Sequence, residues 1–294
     1  MKEEKKLLTE IDGGIVYSLA SVLPYLIMFV VVLALMLIDV NYASKPYYSF
    51  ISYLIPQIAS ISAIAFISKR KRVNPIKICS VKKCNVIYIV LGITLILGLL
   101  FGVGYFNELF VGVLEKAGLN FKTPSLPIET TLQFILSLTI IGVFAPVLEE
   151  VVFRGILVNS LQGLKTYQTV IIGGILFALF HQNPAQLIYQ AIVGCSLTYL
   201  ALKSGSTLPS IIAHVLNNVF IIVTNVYFSG VEFYNTVTIT LGVIFFVFSI
   251  LGVYFVSRKY QKEVKSPFNF KSFYLGVIIG VAFNLILIVV TLFA

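Results

Sequence analysis

The sequence predicts an all-α, polytopic transmembrane bundle of eight or nine spans with its N-terminus in the cytosol. Three observations lead there. Of 294 residues, 59% are hydrophobic and only 11% charged, against about 25% charged in an average soluble domain. The apolar residues come in blocks of roughly 20, the length that crosses about 30 Å of hydrocarbon. Lys and Arg collect in alternate connecting segments, as the positive-inside rule requires. The ten-residue alternating segments of a transmembrane barrel are not seen. The net charge of +9 sits in short loops rather than on one basic face, so the bilayer, and not nucleic acid, is the expected partner.

Taken in order, the candidate spans are residues 14–38, 47–68, 86–112, 131–158, 168–182, 185–202, 207–229, 236–256 and 273–293. The first is too long for a signal-peptide core and lacks an A-x-A site, so it is expected to remain as a helix. The fifth is short, and Pro184 is expected to end or break it. With the N-terminus inside, 17 of the 21 basic residues fall in cytosolic segments. Lys45, Lys116 and Lys122 fall outside, and Arg154 lies within a span. Counting the fifth span as a full crossing keeps the basic segment 258–271 inside. Cys79, Cys84 and Cys195 are scattered; the first two lie in a basic loop expected in the cytosol, where disulfides are rare, and their spacing is not that of a zinc pair. The division expected is residues 1–129 as three N-terminal helices, 130–230 as a functional core, and 231–294 as C-terminal helices. The segments between spans are small, so the chemistry belongs in or against the membrane. The expected location is a cell membrane, crossed many times, of the bacterial plasma-membrane kind.

The functional signal is polar residues inside the greasiest segments. PVLEEVVFRG (146–155) puts Glu149, Glu150 and Arg154 in one span. The chain's two histidines, His181 and His214, also lie in or at the end of apolar spans. Ionisable groups at membrane depth are costly and usually face a bundle interior or mark a pathway. Glu150 and Arg154 are four apart, so they share a face and are expected to pair. Glu149 lies about 100° round the helix with no cation at i±3 or i±4, which leaves it as the carboxylate for chemistry. His214 and Asn218 share a face in the same way, whereas Asn217 points elsewhere. Counting at 1.5 Å per residue from Lys165 and Lys203 puts Glu149, His181 and His214 all about 12–20 Å from the cytosolic surface. Pro146 is expected to bend its helix and free a carbonyl, which membrane depth tolerates only beside a cavity or within protein. Phe177, four before His181, reads as core packing.

These residues resemble the CPBP intramembrane proteases, a family also called Abi that includes CAAX prenyl endopeptidases and bacteriocin-processing enzymes. The family signature is EExxxR, then FxxxH, then HxxxN, each on its own helix. Here these are EEVVFR (149–154), FALFH (177–181) and HVLNN (214–218), in order. The resemblance spans about residues 130–230; the flanking spans look generic. It implies an intramembrane endopeptidase acting on a membrane-associated peptide or protein, of the CAAX, bacteriocin, signal-peptide or self-immunity kind. By the same resemblance Glu149 and His181 hold and activate a water. His214 and Asn218 form the oxyanion hole, supported by Glu150 and Arg154.

Elementary chemistry reaches a similar assignment. Peptide hydrolysis needs a base, a held water and donors for the oxyanion. No cofactor is expected. The competing mechanism is a zinc site on Glu149, His181 and His214, which are ordinary zinc ligands. Against it, the chain lacks HExxH, and Glu150, the base that would remain, is already opposite Arg154. Two other classes fit the polar cluster. One is a non-catalytic immunity or regulatory partner of a membrane sensor. The other is a proton-coupled transporter, against which the absence of internal repeats weighs.

Overall fold

The computed structural model describes residues 8–119, 128–228, 231–258 and 267–293. The described residues form helices and no strand. The long ones are α1 (Glu10–Ile38), α2 (Pro46–Lys71), α3 (Ile87–Lys116), α4 (Thr131–Ser160), α5 (Thr166–Phe180), α6 (Leu187–Ser204), α7 (Leu208–Tyr227), α8 (Thr236–Ser257) and α9 (Phe270–Phe293). Eight are long and apolar enough to cross a membrane; the exception is α5. Its 15 residues span about 22 Å, short of the hydrocarbon thickness. It stops at Phe180, so His181 is the capping residue at its end rather than a residue within it. The break expected at Pro184 comes as a reversal at Gln182, whose φ is +53°, followed by a tight turn at Pro184–Gln186. Of the basic residues, Lys2, Lys5, Lys6, Lys122, Lys259, Lys262 and Lys265 lie outside the described residues.

Local chemistry sets the helix starts. At α4, Thr130 Oγ1 accepts from the Gln133 N–H at 3.3 Å and Gln133 Oε1 accepts from the Thr130 N–H at 2.9 Å, a reciprocal cap. At α1, the Asp12 carboxylate accepts from both the Thr9 N–H, at 2.8 Å, and the Thr9 hydroxyl, at 2.5 Å. Asp12 also takes Lys71 Nζ at 2.9 Å. The start of α1 and the end of α2 therefore meet at one end of the bundle, as consecutive antiparallel spans must.

The flanking helices are not generic. α1 and α9 form the most extensive helix pair in the molecule, and small residues make it possible. A Cβ on Gly276 would lie 2.7 Å from the Ile11 carbonyl oxygen and 3.0 Å from Gly14 Cα. In lipid, where apolar surface offers no preference between helix and acyl chain, such close backbone contact is what holds helices together. Ser18 uses the proximity: its Oγ donates to the Gly276 carbonyl at 2.7 Å and accepts the Gly280 N–H at 2.9 Å. Gly276→Val is expected to lower unfolding stability by about 1–3 kcal/mol through overpacking. Thermal unfolding in detergent, at a fixed protein-to-detergent ratio, measures it.

The loop between α2 and α3 is strapped to the core. Thr207 Oγ1 donates to the Cys79 carbonyl at 2.7 Å, and Asn159 Nδ2 at the end of α4 donates to Ser80 Oγ at 2.9 Å. All three cysteines are free thiols.

Candidate active site

The site is built on α4, which is not a uniform α-helix. Two wide π turns, Leu138–Phe144 and Val151–Leu157, flank a short α segment, Ala145–Glu150. Pro146 accounts for the first of them. A proline ring clashes with the carbonyl four residues back and offers no N–H; a π turn relieves the clash by moving partners to i+5. The Ala145 N–H accordingly donates to the Ile140 carbonyl. The next carbonyl, Ile141, would need the N–H of Pro146, which does not exist. Asn218 of α7 fills that vacancy, its Nδ2 donating to the Ile141 oxygen at 3.0 Å. The carbonyl that the sequence expects Pro146 to free is thus capped by a residue of the third motif.

One turn on, α4 presents both glutamates. Arg154 Nη1 donates to Glu150 Oε1 at 2.6 Å, and both side chains are fully buried. The Arg154 Nη2 donates to the Gly194 carbonyl of α6 at 3.0 Å. That carbonyl is within reach because α5 and α6 touch at bare backbone. A Cβ on Gly194 would stand 2.9 Å from Gly174 Cα and 2.9 Å from Phe177 Cβ. The guanidinium also lies 4.6 Å from the Phe177 ring centroid, a cation–π contact strengthened by the dry surroundings.

His214 joins α7 to both carboxylates. Its Nδ1 is 3.0 Å from Glu150 Oε1 and its Nε2 is 3.8 Å from Glu149 Oε2. An ionised carboxylate can only accept, so Nδ1 carries a hydrogen and donates to Glu150, leaving Nε2 facing Glu149. Glu149 is the one member of this cluster with appreciable exposure: its side chain is 18% accessible, against 0% for Glu150 and Arg154 and 5% for His214. Glu150 is thus bound from two sides, and Glu149 is left open.

His181 enters by a different route. It makes no ion pair with either glutamate among the described residues. Its Nδ1 is 2.8 Å from the Phe177 carbonyl; a carbonyl accepts, so Nδ1 is the protonated nitrogen and Nε2 has a free lone pair. The Phe177 ring lies edge-on to both imidazoles, 4.7 Å from His181 and 5.7 Å from His214 between centroids. Phe177 is therefore both core and spacer: it sets the separation of the two histidines and lies against the guanidinium. Asn217, beside Asn218 on α7, accepts from Tyr189 Oη at 3.3 Å and donates to Asn218 Oδ1 at 3.2 Å.

The structure brings together Glu149, Glu150, Arg154 and His214 by direct contact. His181 meets them through Phe177, and Asn218 lies one helical turn along α7 from His214. Residue spacing alone does not reveal the parts played by Gly194, Phe177 and Tyr189; FxxxH and the glycine pair in α5 are the signals nearest to them. For zinc, no three His, Cys, Asp or Glu side chains among the described residues are placed around one point. Nδ1 of His181 is held by a backbone carbonyl and Nδ1 of His214 by Glu150, so Nε2 is the nitrogen each ring would offer to a metal.

No curated protein and no solved structure matches the chain. Residues 131–220 match the family described as Type II CAAX prenyl endopeptidase, Rce1-like. That stretch begins at the first residue of α4 and ends two residues beyond Asn218, so it contains every side chain of the cluster. The match is consistent with the CPBP resemblance of the three motifs and supports an intramembrane endopeptidase. The chain thus joins eight helices long and apolar enough to cross a membrane to a stretch, residues 131–220, that is similar to the Rce1-like type II CAAX prenyl endopeptidases.

Proposed function

We propose that the protein hydrolyses a peptide bond in a membrane-associated peptide or protein by means of a water activated by Glu149, without a catalytic metal. The observation that carries this reading is the asymmetry of the glutamate pair. Glu150 is buried and bound by Arg154 and His214, whereas Glu149 is partly open, makes no hydrogen bond among the described residues, and lies beside an imidazole.

The steps balance. Glu149 takes a proton from the water as its oxygen bonds to the scissile carbonyl carbon. His181 Nε2 accepts the water's other hydrogen and fixes its direction. The tetrahedral oxyanion takes donors from His214 Nε2–H, in the doubly protonated ring, and from the second amide hydrogen of Asn218, the first being held by Ile141. Collapse breaks the C–N bond, and Glu149 returns its proton to the departing amine. Glu150 acts on His214 as a carboxylate acts on the histidine of a hydrolytic triad, fixing its tautomer and ring plane. The orientation that goes with this reading has the N-terminus and the basic segments in the cytosol of a bacterium.

The substrate class proposed is a peptide whose C-terminal segment follows a lipidated cysteine, in keeping with the CAAX endopeptidase match of residues 131–220. In proteoliposomes, a peptide with a farnesylated cysteine and three following residues is expected to lose those three residues. The unlipidated peptide is expected to be cut at least tenfold more slowly. Cleavage of neither peptide, with a bacteriocin-leader peptide cut instead, would transfer the activity to the other substrate class. Cleavage is expected to persist in 1,10-phenanthroline. Loss with the chelator and recovery with added zinc would replace the glutamate mechanism by a metal one.

A further inference from the structure

A second buried polar network lies outside the cluster and ends beside it. Asn284 of α9 is completely buried, and its amide is bonded at both ends. Nδ2 donates to Tyr17 Oη at 2.8 Å and to Ser21 Oγ at 3.0 Å, both on α1. Oδ1 accepts from Gln182 Nε2 at 2.7 Å. Gln182 in turn accepts from Tyr25 Oη with its Oε1. Three turns of α1 and one residue of α9 thus converge on the residue next to His181. Gln182 has φ +53°, a left-handed conformation that a non-glycine residue holds only when its surroundings fix it.

A polar residue in the middle of an apolar helix is costly to bury, and α1 and α9 already have an adequate joint in Ser18 and the glycines. Asn284 adds two hydrogen bonds to that joint, and it alone of these residues also reaches Gln182. The imidazole itself is defined by one hydrogen bond, from the His181 ring to Phe177. The residue after it, Gln182, ties the end of α5 to α1 and α9.

We infer that Asn284 is a positioning residue for His181: held by Tyr17 and Ser21, it clamps Gln182 and so fixes the end of α5 from which the imidazole projects. This rests on the role given to His181 above, and it assigns a function to the terminal helices, which lie outside the matched region 131–220.

The chain has two histidines, which makes the test direct. In protein carrying labelled histidine in detergent micelles, the ring signals are assigned with the His181→Gln and His214→Gln variants. Asn284→Ala is expected to move or broaden the His181 signal and leave that of His214 in place. In the cleavage assay it is expected to lower kcat about tenfold to a hundredfold with KM unchanged, since misplacing a reacting group by about 1 Å can cost about a hundredfold. Gln182→Ala cuts the same bond from the loop side and keeps the test intact if Asn284→Ala does not fold. In kcat the double variant is expected to be no worse than the more impaired single one, because the bond between Asn284 and Gln182 is the interaction both remove. Ser18→Ala is the structural control: it loosens α1 from α9 without touching Gln182, so it is expected to lower the melting temperature and leave kcat and the His181 signal unchanged. An unmoved His181 signal in both Asn284→Ala and Gln182→Ala would overturn the inference, as would an equal loss of kcat in Ser18→Ala. A shifted His181 signal in a protein that cleaves nothing would uphold the clamp and remove the peptidase reading instead.

Discussion

Glu149→Gln is expected to reduce peptide cleavage by about 10²–10⁴-fold, the usual contribution of a positioned general base, or roughly 3–5 kcal/mol in the barrier. The substitution preserves volume and removes only basicity. Glu149 donates and accepts no hydrogen bond among the described residues, and its contact with His214 is long, at 3.8 Å. The fold therefore has little to lose, and the melting temperature is expected to stay within a few degrees. This combination, activity gone and stability kept, separates a catalytic carboxylate from a packing one. In cells, a membrane-fraction comparison of the variant and the parent should reveal an uncut precursor. Undiminished cleavage by purified Glu149→Gln would take Glu149 out of the reaction.

Arg154→Met should show the opposite pattern. Removing one partner of a buried ion pair leaves the other charge uncompensated, at a cost of about 3–5 kcal/mol. Here Glu150 would be stranded with only His214, and the Gly194 carbonyl would lose its donor. The contact with Phe177 would go as well. Loss of folded protein by size exclusion and a sharp fall in melting temperature are the measurements. The double variant Glu150→Gln/Arg154→Met removes both charges, and replacing a buried pair by neutral groups is often close to neutral in stability. It is expected to regain most of the melting temperature. Activity should not return, since the amide no longer holds His214 by a charged acceptor. Recovery of full cleavage in the double variant would show that the pair serves the fold alone.

The contrast between these two glutamates is legible in the sequence. Spacing of four puts Glu150 and Arg154 on one face, and spacing of one puts Glu149 off it. The structure keeps that division: 2.6 Å for the first pair, an open carboxylate for the second. The coarse helices are legible too, because a span of roughly 20 apolar residues can satisfy its backbone in lipid only as a helix. Even Pro146 can be seen to free a carbonyl. That Asn218 caps it cannot be seen, because the pairing joins residues 77 apart.

The partner of each helix is the hidden quantity. Spans such as α1 and α9 are apolar nearly all round, so their hydropathy marks no face, and the tie between Tyr17 and Asn284 crosses 267 positions. His214 shows the same limit at the atomic scale. From the sequence it is an oxyanion donor beside Asn218 or a zinc ligand, with no carboxylate assigned to either nitrogen. In the folded chain Nδ1 is 3.0 Å from Glu150 while Nε2 turns toward Glu149, a choice made by the crossing of α4 and α7. Hydrophobic length and helical period are local properties, so the order of residues suffices to make this protein a helical membrane bundle with charged and imidazole groups sunk in its spans. Which nitrogen faces which oxygen, and which distant helix reaches Gln182, is settled by the packed bundle, because lipid rewards all apolar faces alike and leaves the pairing to small residues and a few buried hydrogen bonds.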